Sequence, residues 1–353
     1  MDKHILTERQ QRILVHIVEL HVATAEPVGS RHLKKHFQLS FSAATIRNEM
    51  SDLEELGLLC QPHASAGRVP TDEGYRAYVD SLGELDLGCF NFQKNDKLCL
   101  ESLEIEYLSK CDELRSVLSH SVKILSEVSR LTGVAVSFGG DENSIRKIQL
   151  VGIGPSRVLL VIVSSSGLVT NHTIRTVSEL PQAMLNRLSE LINTNFSQKS
   201  VQKLLSDELG VLREIEHDYR KAVKSLFSNI GSTLVEAATE NRLYLDGMSL
   251  ILDQPEFNNV ESARFMLGEL GKDGHLSKLI HESEKGEVNV AINLEDKIEG
   301  LKDFSLISSS YKGSKGSGSI GILGPRRMDY ARVMALVSWV SRRVSHILSV
   351  DEQ

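Results

Sequence analysis

The chain has 353 residues, with 40 Lys and Arg against 47 Asp and Glu, a formal charge of −7 at pH 7. That length predicts two or three domains, each burying its own core. The acidic balance excludes general electrostatic attraction to nucleic acid, so any DNA contact has to come from a local patch. The cysteines at 60, 89, 99 and 111 form no Cys-x-x-Cys pair, which argues against a disulfide frame or a zinc site and for reduced thiols. No run is long enough to span a membrane and the first residues carry no apolar signal core, so the chain is expected in the cytoplasm.

In chain order, Thr7 and Glu8 open a short amphipathic helix with apolar positions at Ile13, Leu14, Ile17, Val18 and Leu20. After the turn Pro27-Val28-Gly29, Ser30 is expected to cap a second helix through about His36. Ser42 caps a third, which runs to Glu55 and stops at Gly57. A two-stranded wing follows, Leu58 to Gln61 and a return from Arg68-Val69, around a tip at Pro62–Gly67. Thr71 then caps a helix to about Leu82, with Asp72 and Glu73 in its first turn. Three helices plus a wing read as a winged helix-turn-helix.

Beyond a linker, a long helix is expected from Leu98 to Leu131, ended by Gly133. Strand patterns follow at Val134–Phe138, Lys147–Ile153, Val158–Ser164 and Leu168–Ile174, the last two joined as a hairpin through Ser165-Ser166-Gly167, and then a helix at Leu180–Ile192. Residues 197–284 are mostly helical in pattern, and Asp253 before Pro255 reads as a cap. Strands resume at Val288–Ile292, Phe304–Ser309 and Ser319–Leu323, before a last helix from Met328 to Leu348 with a Val333, Val337, Val340, Val344 and Ile347 stripe. Strands on both sides of a helical block predict one antiparallel α/β domain with a helical insertion.

The third helix is the candidate site. Ala43, Ile46, Met50 and Leu53 recur at helical spacing and form a core stripe. The opposite face carries Ala44, Arg47, Asn48, Ser51 and Glu55, with the acids Asp52, Glu54 and Glu55 toward the far end of the helix. Arg reads guanine, Asn reads adenine, and a small apolar side chain meets a thymine methyl. Ser40, Ser42 and Thr45 at the helix start suit phosphate contacts. From Val28 to Asn48 there are Arg31, Lys34, Lys35 and Arg47 and no acid, a local cationic window in an acidic chain. At the wing, the tip from His63 to Arg68 is small and flexible enough to enter a minor groove, with Arg68 as its expected probe.

These stretches carry a family resemblance. Leu6-Thr-Glu-Arg-Gln, Pro27-Val-Gly-Ser30, Ala44 through Gly57, and Ser65-Ala-Gly-Arg-Val-Pro-Thr-Asp-Glu-Gly-Tyr75 resemble the heat-inducible transcription repressor family HrcA. So do Leu252-Asp-Gln-Pro-Glu-Phe257 and Gly324-Pro-Arg-Arg-Met-Asp-Tyr330. The resemblance implies an α+β multidomain fold: a winged helix-turn-helix over 1–82, a linker over 83–97, a GAF-like domain from 98–196 and 285–350, and an inserted dimerisation domain at 197–284. It implies a homodimeric repressor that binds double-stranded DNA at the inverted-repeat CIRCE operator of chaperone operons, and so meets the nucleoid there, with the DNA role falling on Thr45, Arg47, Asn48, Ser65 and Arg68. The chaperonin GroEL would act as corepressor, with no membrane and no cofactor involved.

Other constellations read as structural. Gly316-Ser-Gly-Ser-Ile-Gly321 fits a dinucleotide fingerprint in letters, but it sits between two strand patterns rather than opening a helix, so a glycine-rich hairpin loop is expected. Neither the histidines nor Asp253 with Glu256 makes a catalytic arrangement, and Trp339 beside the valine stripe suits packing. No enzymatic site is expected. A GAF-like domain leaves a small-ligand sensor pocket as the alternative.

Overall fold

The computed structural model describes residues 6–83, 114–138, 145–164, 169–196, 242–251, 288–294, 303–313 and 316–349, with single residues at 90, 92, 96, 100, 223, 225, 226, 229, 230, 254, 280 and 301. The expected features at Asp253 and in most of 83–113 and 197–284, and three of the four cysteines, lie outside them. Cys60 is a free, exposed thiol.

The N-terminal unit follows its local signals. Helix α1 (Glu8–Thr24) starts in a capping box in which Thr7 Oγ1 accepts from the Gln10 N–H and Gln10 Oε1 accepts from the Thr7 N–H. In α2 (Ser30–Phe37) the cap is Gly29, and Ser30 is the first helical residue, buried rather than capping. The extended backbone of Gly29 already presents its carbonyl to the Leu33 N–H, so the helix begins one residue earlier than the serine suggests. Helix α3 (Ala43–Glu55) begins where Ser42 Oγ accepts from the Thr45 N–H at 3.0 Å, and Gly57 at φ +75° turns the chain away. Strands β1 (Leu59–Cys60) and β2 (Val69–Pro70) pair antiparallel, and a bridge between Val28 and Arg68 ties the ribbon to the start of α2. Thr71 caps α4 (Asp72–Leu82) through the Gly74 N–H.

The body is built on a five-stranded antiparallel sheet. After α5 (Leu114–Ser129) come β3 (Thr132–Ser137), β4 (Ile145–Gly154), β5 (Arg157–Ser164), β6 (Val169–Arg175) and α6 (Gln182–Phe196). They are followed by β7 (Arg242–Asp246), α7 (Met248–Ile251), β8 (Val288–Ile292), β9 (Phe304–Gly313), β10 (Gly316–Pro325) and α8 (Tyr330–Ser349). The large sheet has the order β7-β3-β10-β9-β8, whereas β4-β5-β6 form a sheet of their own. This differs from the expected division. The strands at 145–175 leave the main sheet, and a strand from the segment expected to be inserted, β7, completes its edge against β3. Strand partners are set by contacts distant in sequence, which local patterns do not carry.

Two more expectations are corrected. The helix before β3 ends at Ser129, where Arg130 takes φ +60°, and Gly133 lies inside the strand opposite Asp246. The run Gly316–Gly321 is not a loop but the first six residues of β10, paired with β9 throughout and with β3 from Gly318 onward. The glycines serve close approach. A Cβ on Gly318 would lie 2.0 Å from Val136 O and 2.5 Å from Tyr311 Oη, and that hydroxyl donates to Val136 O across the strand.

Helices α5 and α8 cover one face of the large sheet, and Trp339 packs at the edge of that core. The same apolar cluster runs without a break into the N-terminal unit through Ile17, Ile46, Leu53, Tyr75 and Tyr78. The small sheet has its own core, in which Ile148, Leu150, Leu160, Ile162 and Ile174 meet Leu185, Leu188 and Ile192 of α6. Side chains of α6 also occupy the outer edge of β4. Asn193 accepts from the Ile148 N–H at 2.7 Å and donates back to its carbonyl, Ser189 accepts from the Leu150 N–H at 3.0 Å, and Gln182 accepts from the Gly152 N–H at 2.8 Å.

Candidate nucleic-acid interface

Helix α3 is held by its inner face. Ile46, Met50 and Leu53 are buried against α1 and α2, while Ala44, Arg47 and Asn48 are exposed and Ser51 is half-buried. Among the described residues Arg47 and Asn48 make no hydrogen bond or ion pair, so their polar groups project freely from the helix. Ser42 and Thr45 are less free. Their hydroxyls lie 2.8 Å apart, with Ser42 Oγ committed to the cap, which places both at the helix N-terminus where backbone N–H groups favour an anion.

Charge is sorted across the unit. Arg31, Lys34 and Lys35 are exposed on α2, with no ion pair among the described residues, and line an open depression of about 510 Å³ with Gln38, Leu39 and Ala43. The depression lies where α2 meets the start of α3, so the free cations border the exposed Arg47 face. Two of the four acids on α3 are neutralised by arginines from elsewhere, and the other two, Asp52 and Glu55, are exposed toward its C-terminal end. Glu49 pairs with Arg9 of α1 at 3.1 Å, and Glu54 with Arg68 of the ribbon at 2.8 Å. The Arg9 guanidinium also stands 5.2 Å from the Phe41 ring, which fixes the turn before α3.

Arg68 is therefore not at the tip. Its backbone bridges Val28 at the base of the ribbon and its guanidinium is turned onto Glu54. The bridge fixes the backbone direction, and the nearest carboxylate captures the side chain. Pro62, His63, Ala64 and Ser65 are the exposed residues at the tip, and His63 and Ser65 carry its polar side chains. Arg9 and Glu54 escaped the sequence reading because their partners lie far along the chain; only the presence of Arg9 in an N-terminal motif pointed to it.

Among the described residues no group of three or more His, Cys, Asp or Glu side chains could hold a metal ion, and no helix is long and apolar enough to cross a membrane.

A family model described as "HrcA protein C terminal domain" matches residues 115–334. The heat-inducible transcription repressor HrcA of Desulfitobacterium hafniense is 33% identical over 347 residues, 98% of each chain. The chain belongs to the HrcA family. An HrcA of the same description from Clostridium tetani is 33% identical over 348 residues, covering 98% of this chain and 97% of its own. One from Bacillus pumilus is 32% identical over 346 residues, 98% of each chain. HrcA relatives thus align through the N-terminal unit as well, which the family model does not reach. A crystal structure of a hypothetical protein at 2.2 Å resolution superposes with a TM-score of 0.64 at 23% identity, covering 98% of this chain and 99% of that one, and supports the fold.

Proposed function

We propose that this chain is a homodimeric transcription repressor whose N-terminal unit is a winged helix-turn-helix reading an inverted-repeat operator. The observation that carries the reading is the exposed Arg47 and Asn48 on α3 beside unpaired Arg31, Lys34 and Lys35, with Glu49 and Glu54 paired to arginines and the exposed Asp52 and Glu55 toward the other end of the helix. In this reading Arg47 and Asn48 hydrogen-bond base edges, with Ala44 and Ser51 at the same surface. Ser42, Thr45, Arg31, Lys34 and Lys35 bind phosphates. Ser65 at the wing tip approaches the neighbouring groove, and Arg68 holds the wing against α3 through Glu54.

A two-fold dimer matches an inverted repeat. Ile153, Val169 and Val177 are exposed large apolar side chains in or beside the small sheet, and Leu159, Val161 and Val163 line its open face half-exposed, which supports dimerisation through that layer together with the expected insertion. The larger sheet with its helices is the proposed GAF-like domain. Selection of duplexes from a random-sequence pool tests the reading: the protein should enrich one inverted repeat, and enrichment of no sequence over bulk DNA would sink it.

Family membership supports a finer version, in which the operator is CIRCE, the regulated genes are chaperone operons of the GroE and DnaK classes, and the chaperonin GroEL keeps the repressor active. Stability of a few kcal/mol is enough for heat to empty the active population. After mild heating, operator binding should recover with chaperonin and ATP and stay lost without them. Equal recovery in both samples would remove the chaperonin from the mechanism.

A further inference from the structure

The motif Gly324–Tyr330 joins the end of β10 to α8 and meets the N-terminal unit. Arg326 Nη1 donates to Asp72 Oδ1 at 2.6 Å, at the first residue of α4. The other Asp72 oxygen accepts from Asn293 Nδ2 at 2.7 Å, from the chain just beyond β8. Arg326 is itself held, its N–H on Asp303 O at 2.7 Å and its guanidinium 3.8 Å from the Asp303 carboxylate. Arg327 Nη1 donates to Val22 O in the last turns of α1 at 2.6 Å, and the buried Tyr75 and Tyr330 rings lie 5.8 Å apart.

The body therefore grips two helices of the N-terminal unit, so the unit cannot pivot about a single point. Burial alone would raise the Asp72 carboxyl, but hydrogen bonds from Arg326 and Asn293 and the charges of Arg326 and Arg76 outweigh it and hold the group below the usual carboxylate range. A half-buried pair of this kind adds little net stability compared with apolar packing, but it admits one geometry. The grip uses α1 and α4 and leaves the exposed face of α3 free.

We infer that this clasp of Asp72, Asn293, Arg326 and Arg327 sets the half-site spacing that the dimer accepts. The inference rests on the reading of the protein as a two-fold repressor. Each added base pair moves one half-site by roughly 3.4 Å and turns it by roughly 35° about the duplex axis. Two rigidly held units fit one spacing and forfeit the gain of bivalent binding at others. Units on loose tethers would accept several spacings, at a lower effective concentration at each. Asp72, Asn293, Arg326 and Arg327 are positioning residues in this scheme and touch no DNA.

The test uses the full-length dimer and the inverted repeat that the wild-type protein selects from a random pool. Duplexes are made with the spacer unchanged, one and two base pairs shorter or longer, and with a single half-site. Fluorescence anisotropy then gives the affinity of wild type, Arg326→Gln and the nearly isosteric Asp72→Asn for each. Both variants should bind the single half-site as wild type does, and their preference for the parental spacer should shrink by at least about fivefold. A purely structural role would weaken binding to every duplex equally. An unchanged spacing profile in both variants, or a uniform loss, overturns the inference and leaves the repressor reading standing. Failure of the wild type to select an inverted repeat overturns the reading beneath it.

Discussion

Arg47→Ala lowers affinity for the selected repeat by about 1–3 kcal/mol per half-site and relaxes base preference at one position in each. Because both subunits of a two-fold complex carry the change, the loss is felt twice. The expectation follows from the geometry: Arg47 is exposed, unpaired among the described residues, and set on a helix whose position does not depend on it. Lys34→Ala provides the contrast. Lys34 lies in the cationic depression beside α3, so its loss should weaken binding evenly across sequences and reduce the salt slope by about one per subunit, about two for the dimer. Gel-shift titrations over point variants of the repeat, at several salt concentrations, separate the two. If Arg47→Ala and Asn48→Ala both left operator affinity and base preference unchanged, α3 would not be the reading helix.

Ile46→Ala should abolish binding by another route. Ile46 is fully buried between α1, α2 and α3, one residue from Arg47 on the opposite face. Truncating such a side chain costs about 2–5 kcal/mol, comparable with the stability of a small unit. Hydrogen exchange resolves the effect by location. Amides of α1 and α3 should lose protection in Ile46→Ala, those of β9 and β10 should lose less, and Arg47→Ala should leave all of them as in wild type. Wild-type protection of α3 in Ile46→Ala would show that this side chain does not hold the reading helix in place.

What could be read from the sequence was local. Thr7, Ser42 and Thr71 announce their helices because a cap is a contact three residues long, and the stripe Ile46, Met50 and Leu53 gives the inner face of α3 directly. The exposed face, with Arg47 and Asn48, follows from the same spacing. What could not be read was pairing at a distance. The division into two sheets depends on β7 finding β3, more than a hundred residues away. The strand at Gly316–Gly321 looked like a loop because glycine is a poor strand former, and the reason for it, the Tyr311 hydroxyl beneath Gly318, sits on the neighbouring strand. Arg68 suggested a groove probe until Glu54 supplied it with a nearer anion. The clasp joins Asp72 to Arg326 across most of the chain, and no periodicity points to either residue.

The α6 side chains along β4 bear on how the protein survives heating. A strand whose outer N–H groups are open can recruit any extended segment, and partly melted chains offer many such segments. Here Asn193, Ser189 and Gln182 take up the N–H groups of Ile148, Leu150 and Gly152, so that border cannot template a foreign strand while α6 stays folded. An incoming chain that added there would first have to strip off a helix. The small sheet is thus protected against growth by lateral strand addition at its β4 border, where association with another molecule has to come through side chains instead of through the backbone of that strand.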